Sequence, residues 1–119
     1  YTALQRYESE QATSWVKFRY WVGKEHIENF NNIICIETTS RPHVLELITT
    51  TSIMQFPGTI KELAKAYPQF CKLSQSCLAN LDNIKSVDFK LLQVTFINDS
   101  VEPFSRRQTK TIKKALNIL

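Results

Sequence analysis

Residues 33–48 read IICIETTSRPHVLELI, and the punctuation of this stretch decides the fold class. Ile33–Thr38 is a short apolar strand, Ser40-Arg41-Pro42 breaks it, and His43–Ile48 resumes extended structure. The same grammar continues on both sides. Upstream, Ser14–Val22 alternates, with Val16, Phe18, Tyr20 and Val22 on one face and Trp15, Lys17, Arg19 and Trp21 on the other. That is a strand with a mixed aromatic and basic second face, and Trp15 and Trp21 are expected to pack in the core or between sheets. Asn29–Asn32 is a turn cluster. Downstream, Thr49–Ser52 turns, Ile53–Phe56 returns and Pro57-Gly58 closes the unit.

Beyond this point the pattern predicts one short helix and a further set of strands. Thr59 and Glu62 form a Thr-x-x-Glu capping box, Ile60, Leu63 and Ala64 supply an inward face, and Pro68 stops the helix. Phe70–Leu73 reads as a strand, Ser74-Gln75-Ser76 as a polar loop and Cys77–Ala79 as a short apolar piece. Asn80–Asn83 turns into a hairpin of Ile84–Phe89 and Leu92–Ile97, and Asn98-Asp99-Ser100 leads to a last strand at Val101–Phe104. Ser105 with Gln108 predicts a second capping box, opening a C-terminal helix with Ile112, Ala115, Leu116 and Leu119 inward. The fold class is therefore mostly β, with a short central helix and a C-terminal helix.

Composition narrows the function. The 119 residues suit one domain, and 13 aromatics are enough for a core. We expect residues 1–14 to be a linker or helical lead-in and residues 15–119 the domain itself. A chain beginning at Tyr1 reads as a piece of a longer protein. With only Gly23 and Gly58, neither a dinucleotide fingerprint nor a phosphate loop is possible. Three cysteines, two histidines and no CxxC pair leave no sequence-recognisable zinc site, and no metal or other cofactor is expected. Cys35, Cys71 and Cys77 read as small buried hydrophobes in a reducing cytoplasm, with a thiol switch at Cys71 or Cys77 as the alternative. No apolar run is long enough to span a membrane, and no base is coupled to a nucleophile, so no catalytic residues are assigned.

Charge is uneven. Residues 1–40 carry a net −1 and residues 41–119 a net +5. From Ser105 onward Arg106, Arg107, Lys110, Lys113 and Lys114 occur with no acid among them, which points to a polyanionic partner. Arg106 and Arg107, placed in the first turn of the expected helix, have the wrong sign for its dipole and are candidates for an anionic ligand.

Three ordered stretches carry a family resemblance: NNIICIETTSRPHVLEL (31–47), FPGTIKELAKAYPQFCKLSQSCLANLDNIKSVD (56–88) and VTFINDSVEPFSRRQTKTIKK (94–114). Together they resemble a LytTR domain, the DNA-binding effector of bacterial response regulators, and the IETTSRPH stretch is similar to the competence and bacteriocin branch controlled by quorum sensing. The resemblance implies an elongated stack of three antiparallel sheets that binds double-stranded DNA through loops in successive major grooves. It implies base contacts from His43, Arg107 and Gln75. Supporting or phosphate contacts would come from Arg41, Lys72, Ser74, Ser76, Ser105, Arg106, Lys110, Lys113 and Lys114. Ser74 stands where the family commonly has histidine, and Cys77 where an aromatic or aliphatic residue is common. The resemblance also implies an upstream receiver domain phosphorylated by a sensor kinase, and a homodimer on promoter direct repeats, as in two-component transcription regulation.

Two other readings remain open from the residues alone. One is a β-rich protein- or peptide-interaction module with an incidental basic C-terminal helix. The other is a single-strand or RNA binder that stacks bases on Trp15, Tyr20 and Trp21. His26 reads as a surface residue, and Glu37 as structural, with an orienting role toward Arg41 or His43 as its alternative.

Overall fold

The structure, a computed structural model, describes residues 15–19 and 24–117. The expected lead-in at 1–14, Tyr20, Trp21, Val22 and Leu119 lie outside the described residues. Among the described residues, strands form three antiparallel sheets. β1 (Trp15–Arg19) pairs with β2 (Glu25–Asn29). β3 (Ile33–Thr38), β4 (Val44–Thr49), β5 (Ile53–Pro57), β6 (Cys71–Ser74) and β7 (Cys77–Ala79) build a central sheet in the order β5-β4-β3-β7-β6. β8 (Ile84–Asp88), β9 (Gln93–Phe96) and β10 (Val101–Pro103) form the third sheet, with β9 in the middle. Two helices among the described residues, α1 (Ile60–Ala66) and α2 (Thr109–Ala115), pack with these sheets.

Both faces of the central sheet are covered, and this explains its sequence. One face packs against Val16 and Phe18 of β1 and Ile60 of α1; Phe18 meets Phe56 edge-on at 4.9 Å. The other face packs against Val94 and Phe96 of β9, Phe104, and Ile112 of α2. A strand buried on both sides needs no polar alternation, so all four residues of Ile33–Ile36 are fully buried. The pairing of β3 with β4 passes from Ile33↔Thr49 to Cys35↔Ile48, setting two residues of β3 against one of β4. This bulge puts Ile33 and Ile36 on the β1 side and Ile34 and Cys35 on the other.

Two similar asparagine turns lock the sheets together. In Asn29-Phe30-Asn31-Asn32-Ile33 and Asn80-Leu81-Asp82-Asn83-Ile84, the first asparagine accepts from the N–H two residues on, at 2.9 and 3.0 Å, and a short 3₁₀ turn feeds a strand. The buried second turn reaches back to the first. Asn80 Nδ2 donates to the Phe30 carbonyl at 2.8 Å, and Asn83 Nδ2 donates to the carbonyls of Asn31 and Ile33 at 2.9 and 2.7 Å.

The sequence reading needs four corrections. β2 was not anticipated, because EHIEN lacks a β-type apolar pattern and is held by pairing along β1. Trp15 is 48% exposed and lies on the solvent face of β1, so it is not a packing residue. The Ser105–Gln108 capping box does not form: Ser105 makes no side-chain cap, and Arg106–Gln108 is a 3₁₀ turn preceding α2. Arg106 and Arg107 therefore stand before the α-helix and not in its first turn. Finally, Ile112 of α2 is buried and Leu116, the residue just past the helix, is half-buried, leaving Ala115 off that stripe and exposed.

Candidate nucleic-acid interface

Three loops gather at one end of the central sheet because the strands bearing them are antiparallel neighbours. β3 runs into the loop 39–43, and Glu37 pairs with Cys77 at the start of β7, so the β6–β7 loop lies beside it. The Thr38 N–H donates to the Ser76 carbonyl at 3.0 Å, tying these two loops. The Ser105 N–H donates to the Leu73 carbonyl at 2.9 Å, which brings the 105–108 segment against the end of β6.

Each loop is braced internally. The Thr39 hydroxyl donates to the Val44 carbonyl at 2.8 Å and accepts the Arg41 N–H at 3.2 Å, while the Gly58 N–H donates to the His43 carbonyl at 2.9 Å. His43 is exposed and left-handed, at φ 60°, a conformation that turns the chain sharply back into β4. The Ser74 hydroxyl accepts the Ser76 N–H at 3.1 Å, so Ser74 shapes its loop while Gln75 and Ser76 stay exposed. Such side-chain braces replace the glycines that this chain lacks.

Arg41, His43 and Gln75 line one cleft of about 370 Å³, together with Thr39, Thr59 and Lys61. Lys61 was missed by the sequence reading. Its signal was available: like the arginines singled out there, it is a cation at the start of a helix, where the dipole disfavours it. Arg106, Arg107, Ser105, Lys72, Lys110 and Lys114 are all exposed. Lys113 differs, being partly buried with its ammonium 5.0 Å from the centre of the Phe89 ring.

The remaining candidates have structural partners. Glu37 does not orient Arg41 or His43; its carboxylate accepts from the Cys35 thiol at 3.7 Å. Burial pushes the Glu37 carboxyl up, the Cys35 hydrogen bond opposes this, and Glu46 across the strand pair adds to it. The hydrogen bond to Cys77 and burial push the Cys35 thiol well up, and burial does the same to Cys71. All three cysteines are buried, which removes the exposed-thiol basis for a switch at Cys71 or Cys77. His26 is half-buried, with Nε2 3.3 Å from Glu28. Among the described residues, no helix is long and apolar enough to cross a membrane.

The three neighbouring loops thus carry cations and amide or imidazole donors on a mostly β scaffold. The family model of the LytTr DNA-binding domain matches residues 23–117, and the chain belongs to that family. Among solved structures, it is similar to a Bacillus cereus chain described as a LytTr DNA-binding domain. The TM-score is 0.68 at 17% identity, covering 87% of this chain and 96% of that one. At that identity the likeness shows the fold. A search of curated proteins finds no match.

Proposed function

We propose that the domain binds double-stranded DNA sequence-specifically by inserting its loops into successive major grooves. The observation that carries this reading is the convergence of the loops bearing His43, Gln75 and Arg107 on one end of the central sheet, joined by the Thr38–Ser76 and Ser105–Leu73 hydrogen bonds. Arg107 would donate two parallel hydrogen bonds to a guanine edge, Gln75 would pair with an adenine edge and His43 would bond a base or phosphate. Arg41, Lys72, Ser76, Ser105, Arg106, Lys110 and Lys114 would fix the register on phosphates, with Lys61 added from the shared cleft. Ser74 would support the middle loop from within, and Lys113 would contribute through its position beside Phe89.

In this reading residues 15–119 are the effector of a cytoplasmic two-component transcription regulator. Residues 1–14 link it to a receiver domain that a sensor kinase phosphorylates. Two copies act on promoter direct repeats of quorum-sensing-controlled genes, of the competence or bacteriocin type. Selection of bound duplexes from a random library, followed by footprinting, tests it. The expected result is an enriched direct repeat protected over neighbouring major grooves. Absence of enrichment at physiological salt overturns the reading in favour of a protein-interaction module.

A further inference from the structure

A polar row crosses the otherwise apolar face of the central sheet that packs against β9 and α2. In register, Glu46 on β4 lies opposite Glu37 on β3, and Glu37 lies opposite Cys77 on β7. Cys35 sits two residues before Glu37 on the same face, and its thiol contacts the Glu37 carboxylate at 3.7 Å. The sulfurs of Cys35 and Cys77 and a Glu37 oxygen all lie within 4.8 Å of one another. Cys35 and Cys77 are 0% and 2% exposed, whereas Glu37 is only partly buried and opens the cluster to solvent.

Two features of this row lack a structural rationale in a simple core. Directly opposed carboxylates on neighbouring strands repel and destabilise a pair, yet Glu37 and Glu46 are opposed at a partly buried position. Two thiols and a carboxylate are also brought together from different strands, where apolar residues would pack without cost. A divalent cation held between the sulfurs and Glu37 would offset both. With zinc–sulfur bonds of about 2.3 Å and zinc–oxygen bonds of about 2.0–2.2 Å, tetrahedral geometry requires ligand separations of roughly 3.6–3.8 Å. The Cys35–Glu37 separation already has that value.

We propose that Cys35, Cys77 and Glu37 form a site for a thiophilic divalent cation, zinc by the nature of its donors, with Glu46 supplying negative potential beside it. Binding forms two sulfur–metal bonds and one oxygen–metal bond and releases both thiol protons to solvent. Its position gives it a purpose. Glu37 stands just before the 39–43 loop and Cys77 just after the 74–76 loop, so the ion would clamp together the two loops that the Thr38–Ser76 hydrogen bond joins. CxxC spacing cannot reveal the site, because its ligands come from two strands far apart in sequence. The clamp's effect on DNA rests on the loop assignment above; the metal site itself does not.

Cobalt(II) titration of the reduced domain tests the site without DNA. The expected result is one ion per chain, a sulfur-to-cobalt charge-transfer band in the near ultraviolet, and loss of that band on adding zinc. Cys35→Ser and Cys77→Ser should each abolish or strongly reduce the band, and Cys71→Ser should keep it. Glu37→Gln should weaken binding while leaving a sulfur-derived band, and it carries the test if a cysteine variant fails to fold. No band in the parent protein, or a band that survives Cys77→Ser, overturns the site. On the selected duplex, zinc should tighten binding by about fivefold or more in the parent and not in Cys77→Ser. Equal affinity with and without zinc, when cobalt binds, overturns the clamp alone.

Discussion

Asn83 donates from one amide nitrogen to the carbonyl of Ile33, at 2.7 Å, and to that of Asn31, at 2.9 Å. The turn before the third sheet is thereby fastened to the turn before the central one. Both turns begin with an asparagine cap, and the buried member supplies the amides that join them. The loops at the far end of β3 are only as well placed as this anchor.

Replacing Asn83 by alanine leaves the Ile33 carbonyl without its shortest side-chain partner in a dry environment. An unsatisfied buried polar group costs about 1–3 kcal/mol, so Asn83→Ala should destabilise by that amount. Urea unfolding measures it through the midpoint at constant slope. A change under about 0.5 kcal/mol would mean that water replaces the amide.

How much of this was legible in the sequence depends on where the determinants lie. The β3 and β4 strands, the Thr59–Glu62 cap and the hairpin of β8 and β9 are set by local pattern, and the structure contains each of them. β2 was invisible because pairing along β1, not its own composition, makes it a strand. The Ser105 cap failed for a related reason: the Ser105 N–H bonds to Leu73, and the following residues form a tighter turn whose backbone satisfies itself. At the candidate interface, His43, Arg41 and Gln75 share a cleft, but Lys61 joins them only through the packing of α1 beside the β3–β4 loop. Glu46 escaped notice because strand register, and not sequence separation, sets it opposite Glu37.

Arg107 and Lys61 should separate base reading from phosphate contact. Arg107→Ala should relax preference at a single guanine, with a loss of about 1–3 kcal/mol in discrimination. Lys61→Ala should weaken all duplexes alike and reduce the slope of log affinity against log salt by about one unit. Fluorescence anisotropy on matched and singly substituted duplexes over a salt series distinguishes the two. Identical behaviour of the variants would remove the assignment of Arg107 as a base reader.

Thr109, the first residue of α2, holds its hydroxyl buried with no hydrogen-bond partner among the described residues. Valine has the same branched shape and no polar atom. Thr109→Val should therefore stabilise the domain, by up to about 1 kcal/mol, since a buried unpaired hydroxyl costs on that order. Thermal unfolding at fixed pH shows this as a rise in Tm. A fall would indicate that the hydroxyl finds a bond in solution.

His43 sets stability against function. Its φ of 60° places an ordinary L-residue in the left-handed region, a strain of about 1–2 kcal/mol. Glycine relieves that strain but adds about 0.5–1 kcal/mol of unfolded-state entropy. His43→Gly should therefore leave stability unchanged or raise it by up to about 1.5 kcal/mol, while removing the imidazole from the cleft shared with Arg41 and Gln75. DNA affinity should fall although the fold is as stable as before. Paired denaturant and binding measurements on one preparation test both halves. Parental DNA affinity in His43→Gly would show that the histidine serves the turn and not the DNA; a loss of stability beyond about 1 kcal/mol would show that its ring holds the loop.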